Sequence, residues 1–115
     1  MVSLTKLTKK QLRELILNAY AKELDQLLVA LSKKFDAWKN HQIDCWKLED
    51  CIHKFHSVQA AKLFDYYNSN VDPILIVANA LAKNLIQKGE IPDEALPYIE
   101  GCIHLFQEDD LGERT

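Results

Sequence analysis

The stretch TKKQLRELILNAYAKELDQLLVALSKKFDAW, residues 8–38, decides the fold of this chain. Its apolar residues recur at steps of three and four, the spacing that places side chains on one face of an α-helix. The members of this stripe are Leu12, Leu15, Ile16, Ala19, Tyr20, Leu24, Leu27, Leu28, Leu31, Phe35 and Trp38. Thr8-Lys9-Lys10-Gln11 matches the capping-box pattern, so we expect the helix to begin at Thr8. The stretch therefore predicts one long helix of about seven turns.

The remainder of the chain predicts three shorter helices, over residues 44–67, 73–88 and 97–107. Asp44 and Asp72 are suitable N-caps, Pro73 suits the first helical position, and Gly89 suits the C-terminal cap. The third helix is apolar almost all round, so we expect it to be the most buried element. No useful length of sequence alternates with period two, which excludes a predicted strand.

Composition and charge restrict the possible classes of protein. The chain has 115 residues, of which 48% are apolar, enough for one all-helical domain over residues 1–107. The acidic segment 108–115 is expected to fray. A net charge of −3, spread along the chain, argues against a nucleic-acid partner.

The N-terminal residues and the cysteines restrict the cellular location that we expect. The first residues lack the apolar core of a signal peptide, and no apolar run approaches the length of a membrane span. The chain has three cysteines, an odd number without a paired framework, which is typical of reduced thiols in a cytoplasm. We therefore expect a cytoplasmic protein that does not contact a membrane.

The second predicted helix carries two different stripes. One is largely apolar and would pack on the first helix: Leu48, Ile52, Phe55, Gln59, Leu63 and Tyr66. The other, roughly opposite, combines aromatic and charged residues: Trp46, Glu49, Asp50, His53, Ser57, Ala60, Phe64 and Tyr67. A tryptophan beside charged groups is typical of a protein–protein hot spot. The alternative is that Trp46 and Phe64 bury in a dimer interface or under the third helix, with the polar groups solvated.

The cysteines and histidines allow a second hypothesis, a small metal or redox sensor using Cys51, His53, His56 and Cys102. His53 and His56 have a spacing at which helical ligands converge, whereas residues two apart on a helix do not face each other. No CxxC, HxxxH or glycine-rich phosphate loop is present. The sequence therefore predicts neither an enzyme nor a cofactor.

Two short motifs resemble the fluorescence recovery protein family. The first is Ala19-Tyr20 followed by Glu23-Leu24-Asp25, and the second is Trp46-Lys47-Leu48-x-Asp50, at nearly the separation found in that family. The apolar run from Ile74 through Ala80-Leu81-Ala82-Lys83 is similar to the helix that follows. The resemblance covers roughly residues 12–88.

The resemblance implies an all-helical homodimer with a long antiparallel helical hairpin and a smaller helical head. Members of the family dock onto the light-activated orange carotenoid protein and speed its return to the resting form, without a cofactor. Glu49 stands where the family usually has histidine, and His56 or a near neighbour where it usually has arginine. The partner thus stays open between orange carotenoid protein and an unidentified substitute. The partner-binding residues that we predict are Trp46, Glu49, Asp50, His53 and His56.

Overall fold

The computed structural model describes the backbone of residues 4–113 and the side chains of residues 4–106. The regular structure in that range is helical, which confirms the predicted all-α class. The α-helices are α1 (Lys6–Lys39), α2 (Cys45–Lys54), α3 (Ala61–Tyr67), α4 (Pro73–Ala82) and α5 (Leu96–Glu113). A π-helix, Phe55–Ala60, joins α2 to α3, and a 3-10 helix, Lys88–Glu90, precedes α5. Helix α5 continues to Glu113, beyond the predicted helix end at residue 107, and the predicted fraying of residues 108–115 stays a prediction.

The chain divides into two compact units. We call the unit Tyr20–Ser69 the hairpin, and the unit formed by Met1–Ala19 and Asn70–Thr115 the head. Helix α1 contributes its first turns to the head and the remainder to the hairpin.

The head contains nearly all of the buried apolar side chains. They come from the first turns of α1, from α4 and α5, and from the segments between them: Leu12, Leu15, Ala19, Ile74, Ile76, Val77, Ala78, Ala80, Leu85, Ile86, Ile91, Ala95 and Ile99. The prediction that the third helix is the most buried element is confirmed, because α4 has five buried residues in ten positions. Asp72 caps α4 as predicted, its side chain accepting a hydrogen bond from the backbone N–H of Ile74 at 2.9 Å.

Helix α1 begins before the predicted capping box. Its first residue is Lys6, and the Thr5 hydroxyl accepts a hydrogen bond from the backbone N–H of Thr8 at 3.2 Å, as an N-cap does. Thr8 is 4% exposed and donates from its own hydroxyl to Glu94 at 2.8 Å. Glu94 also accepts from the backbone N–H of Thr5 at 2.9 Å. With Thr5 as the N-cap, Thr8 occupies the third helical position, and the acceptor for the Thr5 N–H is supplied by Glu94 from far along the chain.

Helix α4 ends six residues earlier than predicted, and Gly89 is not its cap. Asn84 adopts a positive φ of 62°, and the next N–H, that of Leu85, bonds back to the carbonyl of Ala80 at 2.9 Å. This is a Schellman ending, in which the left-handed residue is asparagine instead of glycine. Asparagine tolerates that conformation better than most residues, so a C-terminal signal was present at Asn84.

The hairpin is antiparallel, as predicted. The ring of Tyr20, near its start, stacks on that of Tyr67, near its end, with centroids 4.8 Å apart and planes within 4°. The Tyr67 hydroxyl donates to Glu23 at 2.6 Å. Between the arms, His41 has a positive φ of 61° and gives α1 a second Schellman ending. Asp44 then caps α2 as predicted, accepting from the N–H of Lys47 at 2.8 Å.

The π-helix changes which residues of the second arm face α1. Its hydrogen bonds span five residues instead of four, so it holds one residue more than an α-helical turn. Every position after it is therefore rotated relative to a uniform α-helix. The prediction that Tyr67 lies on the outward stripe is wrong for this reason, since Tyr67 stacks on α1. Gln59, predicted to face α1, is exposed but lines a cavity that residues of α1 also line.

Candidate functional site

The outer face of α2 is built around an exposed tryptophan. Trp46 is 75% exposed, and it lies about 160° around the helix from Leu48, which is 7% exposed and packs toward α1. Glu49, Asp50 and His53 follow Trp46 by three, four and seven residues, so they share its face. We call these four residues the outer face.

One carboxylate of the outer face, that of Asp50, is held by a neighbouring lysine. Asp50 forms an ion pair with Lys54, which lies one helical turn later. The distance from Lys54 Nζ to Asp50 Oδ2 is 3.0 Å. The hydrogen bond from Lys54 is the main cause that lowers the pKa of the Asp50 carboxyl, and the positive charges of Lys54, Lys47 and His53 add to it. Both side chains of the pair remain close to half exposed, so the pair orients Asp50 more than it stabilises the fold.

His56 is separated from the outer face. It lies in the π-helix and is exposed. In helical projection it falls close to Ile52, so it lies on the side of the second arm and not on its outer surface. The structure thus brings together four of the five predicted partner-binding residues on one face. His56 belongs to a different surface, because ten residues at about 100° each already place it about 80° around the helix from Trp46.

One flank of the hairpin carries two lysines and a glutamine beside small and apolar residues. A small cavity of about 140 Å³ lies between the two arms. Because both arms contribute to it, the residues that line it must lie on the same side of the hairpin: Ala30, Leu31, Lys34, Cys51, Lys54 and Gln59. We call this side the polar flank.

The position of Leu28 follows from that cavity. An α-helix turns about 100° per residue, so three residues turn about 300°, which is 60° short of a full turn. Leu28 and Lys34 therefore lie on opposite sides of Leu31. Since Lys34 is on the polar flank, Leu28 is on the other one.

The second arm presents apolar residues to that same opposite flank. Cys51 and Ile52 lie on opposite sides of Leu48, and Cys51 is on the polar flank. Phe64 lies about 60° from Tyr67 in the same sense of rotation that separates Ile52 from Leu48. We call this surface the apolar flank. Its three large side chains are 44%, 38% and 55% exposed: Leu28, Ile52 and Phe64.

Sequence reasoning missed the apolar flank. Leu28 and Ile52 were assigned to stripes that pack the two arms together, and Phe64 to the outward stripe. A periodic pattern shows that a residue is apolar at a given angle, but two arms can cover only part of a wide stripe. The breadth of the α1 stripe, which includes both Leu27 and Leu28, was the available signal.

The cysteines and histidines do not converge. Cys45, Cys51 and Cys102 are free thiols. Among the described residues, no group of three or more His, Cys, Asp or Glu side chains is placed to hold a metal ion. Cys51 lines the polar flank, whereas His53 is on the outer face and His56 on the opposite side. Cys102 is in the head.

No helix in the described part of the chain is both long and apolar enough to cross a bilayer. Comparison of the chain with known protein families, with curated proteins and with solved structures gives no match. The resemblance to the fluorescence recovery proteins therefore rests on the short motifs in α1, α2 and α4.

Proposed function

We propose that this chain is a non-enzymatic, homodimeric regulator that docks onto a partner protein through the outer face of α2 and shifts the partner's conformational state. The observation that carries the proposal is Trp46, a large aromatic side chain that is 75% exposed beside an oriented carboxylate.

Energetics favour a docking role for this face. Tryptophan is among the residues that dominate protein–protein binding energy, because its large apolar surface is removed from water when a partner covers it. Asp50 is held by Lys54 at 3.0 Å, so its carboxylate is positioned before a partner arrives. A positioned carboxylate loses less conformational entropy on binding than a mobile one.

The apolar flank supports the homodimer in this proposal. In the hairpin, only Leu48 among the large apolar side chains is buried, and three exposed ones lie on the same flank. A second copy that presents the same flank would cover both surfaces around a two-fold axis. The dimer proposed here forms a four-helix arrangement, in which two hairpins share one core.

The proposed regulation works through differential affinity. A protein that binds one conformation of its partner, or the barrier between two conformations, more tightly than the others changes the partner's populations or rates without covalent chemistry. By resemblance, the partner is orange carotenoid protein or a protein that takes its place. We place this activity in the cytoplasm, where three free thiols stay reduced.

The docking proposal is tested by the dark recovery of photoactivated orange carotenoid protein, followed by absorbance with this chain added at increasing ratio. We expect faster recovery with the wild-type chain and at least a tenfold loss of that effect with Trp46→Ala. Trp38→Ala is the matched control, since Trp38 is 41% exposed and lies outside the outer face. Circular dichroism checks that both variants keep their helicity.

The possible outcomes distinguish an error in the partner protein from an error in the docking surface. If the wild-type chain leaves recovery unchanged while a fluorescence recovery protein accelerates it, orange carotenoid protein is not the partner. A pull-down with wild-type and Trp46→Ala chains then tests the surface alone. Equal recovery of every bound protein by both chains would reject the outer face as a docking site.

The homodimer is tested by sedimentation of two charge variants on neighbouring positions of α1. Leu28→Glu places a carboxylate in the apolar flank, and we expect it to sediment as a monomer. Val29→Glu is the control, because Val29 is 55% exposed but lies about 100° further round the helix. A dimer that tolerates Leu28→Glu would contradict an interface on this flank.

A further inference from the structure

A cavity of about 250 Å³ opens in the head, beside the first turns of α1 and the start of α4. Its apolar lining comes from Leu4, Leu12, Pro73 and Ile74. Leu12 and Ile74 are 1% and 5% exposed, so they form the packed floor beneath the cavity, and the accessible apolar surface of the wall is that of half-buried Leu4 and exposed Pro73. The volume exceeds that of an engineered cavity of about 150 Å³ that binds benzene.

Two cations border the same cavity. Lys9 and Arg13 both line it, and they are one helical turn apart on α1, so their side chains share a face. Both are exposed, and neither forms an ion pair with any described residue. Two cations without an ion-pair partner among the described residues, next to an apolar wall, offer a place for a group that is itself both charged and apolar.

The one carboxylate of the lining is already engaged. Asp72 accepts a hydrogen bond from the backbone N–H of Ile74 at 2.9 Å, as the N-cap of α4. Two cations against one carboxylate leave the lining net positive. The rim is therefore suited to an anion and not to a cation.

We propose that this cavity binds a small amphipathic carboxylate, with an apolar body of roughly eight carbon atoms against the core wall and its carboxylate between Lys9 and Arg13. The planar guanidinium of Arg13 can donate two parallel hydrogen bonds to a carboxylate, and Lys9 adds a point charge. The apolar body gains from leaving water, and an uncharged analogue of the same shape binds more weakly because it lacks the charge-assisted hydrogen bonds to the rim. This site lies in the head and is independent of the outer face and the apolar flank.

Calorimetric titration with three probes tests the proposal: octanoate, octanol and acetate. Octanoate is expected to bind saturably with one molecule per chain, and about tenfold more tightly than octanol, which lacks the charge. Acetate, which lacks the apolar body, should show no saturable binding. Comparable binding of either octanol or acetate would overturn the proposal.

Charge variants then locate the site. The double variant Lys9→Gln/Arg13→Gln should bind octanoate about tenfold more weakly than the wild-type chain. Lys6→Gln/Lys10→Gln removes the same charge from the same helix at positions outside the cavity, and should keep wild-type affinity. Equal affinity of both double variants would show that the cavity cations do not hold the carboxylate.

Methyl NMR separates this cavity from the exposed apolar surfaces of the hairpin. Bound octanoate should shift the methyl resonances of Leu12 and Ile74 and leave those of Leu28 and Ile52 unchanged. The reverse pattern would place the ligand on the apolar flank and reject the cavity. Trp46→Ala should bind octanoate like the wild-type chain, so failure of the docking proposal would leave this one intact.

Discussion

Glu94 joins two distant parts of the head at the level of a single residue. Its carboxylate accepts hydrogen bonds from the hydroxyls of Thr8 and Thr5 and from the backbone N–H of Thr5. The Thr8 bond is the largest cause that holds the pKa of Glu94 below its usual value. The carboxylate also lies at the N-terminus of α1, where the helix dipole favours a negative charge.

Glu94→Gln should lower the thermal midpoint of the chain at pH 7, because a neutral amide interacts less strongly with these donors. A lowered pKa means that the stabilisation is present above the unfolded value, about 4.3, and is lost as pH falls through the folded value. The difference between wild type and variant should therefore shrink as pH falls below the unfolded value. Asp93→Asn, at an exposed neighbour, is the matched control. A difference in thermal midpoint that stays constant from pH 7 to pH 2.5 would show that the shape of the Glu94 side chain matters, and not its charge.

Sequence reasoning could not find Glu94. A capping partner is recognisable when it stands three residues from the cap, as in the pattern Thr8–Gln11. Glu94 reaches Thr5 across 89 positions, and no local pattern encodes that distance. The N-caps Asp44 and Asp72 were predictable, since their acceptors act within their own helix.

The π-helix is the feature with the largest effect at the scale of an element. Uniform α-helical periodicity predicts the second arm correctly as far as Leu48 and fails at Tyr67. The failure begins where Phe55–Ala60 adds one residue to a turn. Before that point the sequence identifies Leu48 correctly but also assigns the exposed Ile52 to the packed stripe. After it, the residues that contact α1 depend on backbone hydrogen bonding that the sequence pattern does not show.

Deletion of Val58 should be tolerated. Val58 is 44% exposed and lies inside the π-helix, so its removal lets the segment return to α-helix with the later residues still facing α1. Deletion of Lys62, in regular α-helix, instead rotates Tyr67 away from Tyr20 and Glu23. That loss should cost about 2–4 kcal/mol, from one aromatic pair and one hydrogen bond to a charged group.

Urea unfolding and ring-to-ring NMR contacts between Tyr20 and Tyr67 distinguish these two deletions. The contacts should survive deletion of Val58 and vanish on deletion of Lys62. If both deletions destabilise the hairpin equally, the π-helix does not contain an extra residue that can be removed without loss of stability.

The two units of the whole molecule differ in how much apolar surface they bury. Of the buried apolar side chains, all at 7% exposure or less, every one except Leu48 belongs to the head, although the head also has exposed apolar residues such as Leu7 and Leu17. The sequence predicted the helices that form both units but not this inequality. An apolar stripe has the same appearance whether the same chain or a different molecule covers it.

Backbone amides of the isolated chain should therefore exchange with deuterium at different rates in the two units. Amides of Ile76, Val77 and Ala78 should be the slowest, and those between Leu48 and Phe64 at least tenfold faster, because opening the hairpin exposes little buried surface. Native-state exchange measured at low protein concentration tests this difference. Raising the concentration should slow exchange in the hairpin alone if a second copy covers the apolar flank. Uniform protection across both units would contradict the expectation.

The placement of the two tryptophans has an optical consequence. Trp38 and Trp46 are the chain's only two, both belong to the hairpin, and both are more than 40% exposed. Ultraviolet emission from the indoles therefore reports the hairpin and carries no signal from the head. A partner that excludes water from Trp46 would shift this emission to the blue, while a ligand confined to the head would leave the spectrum unchanged.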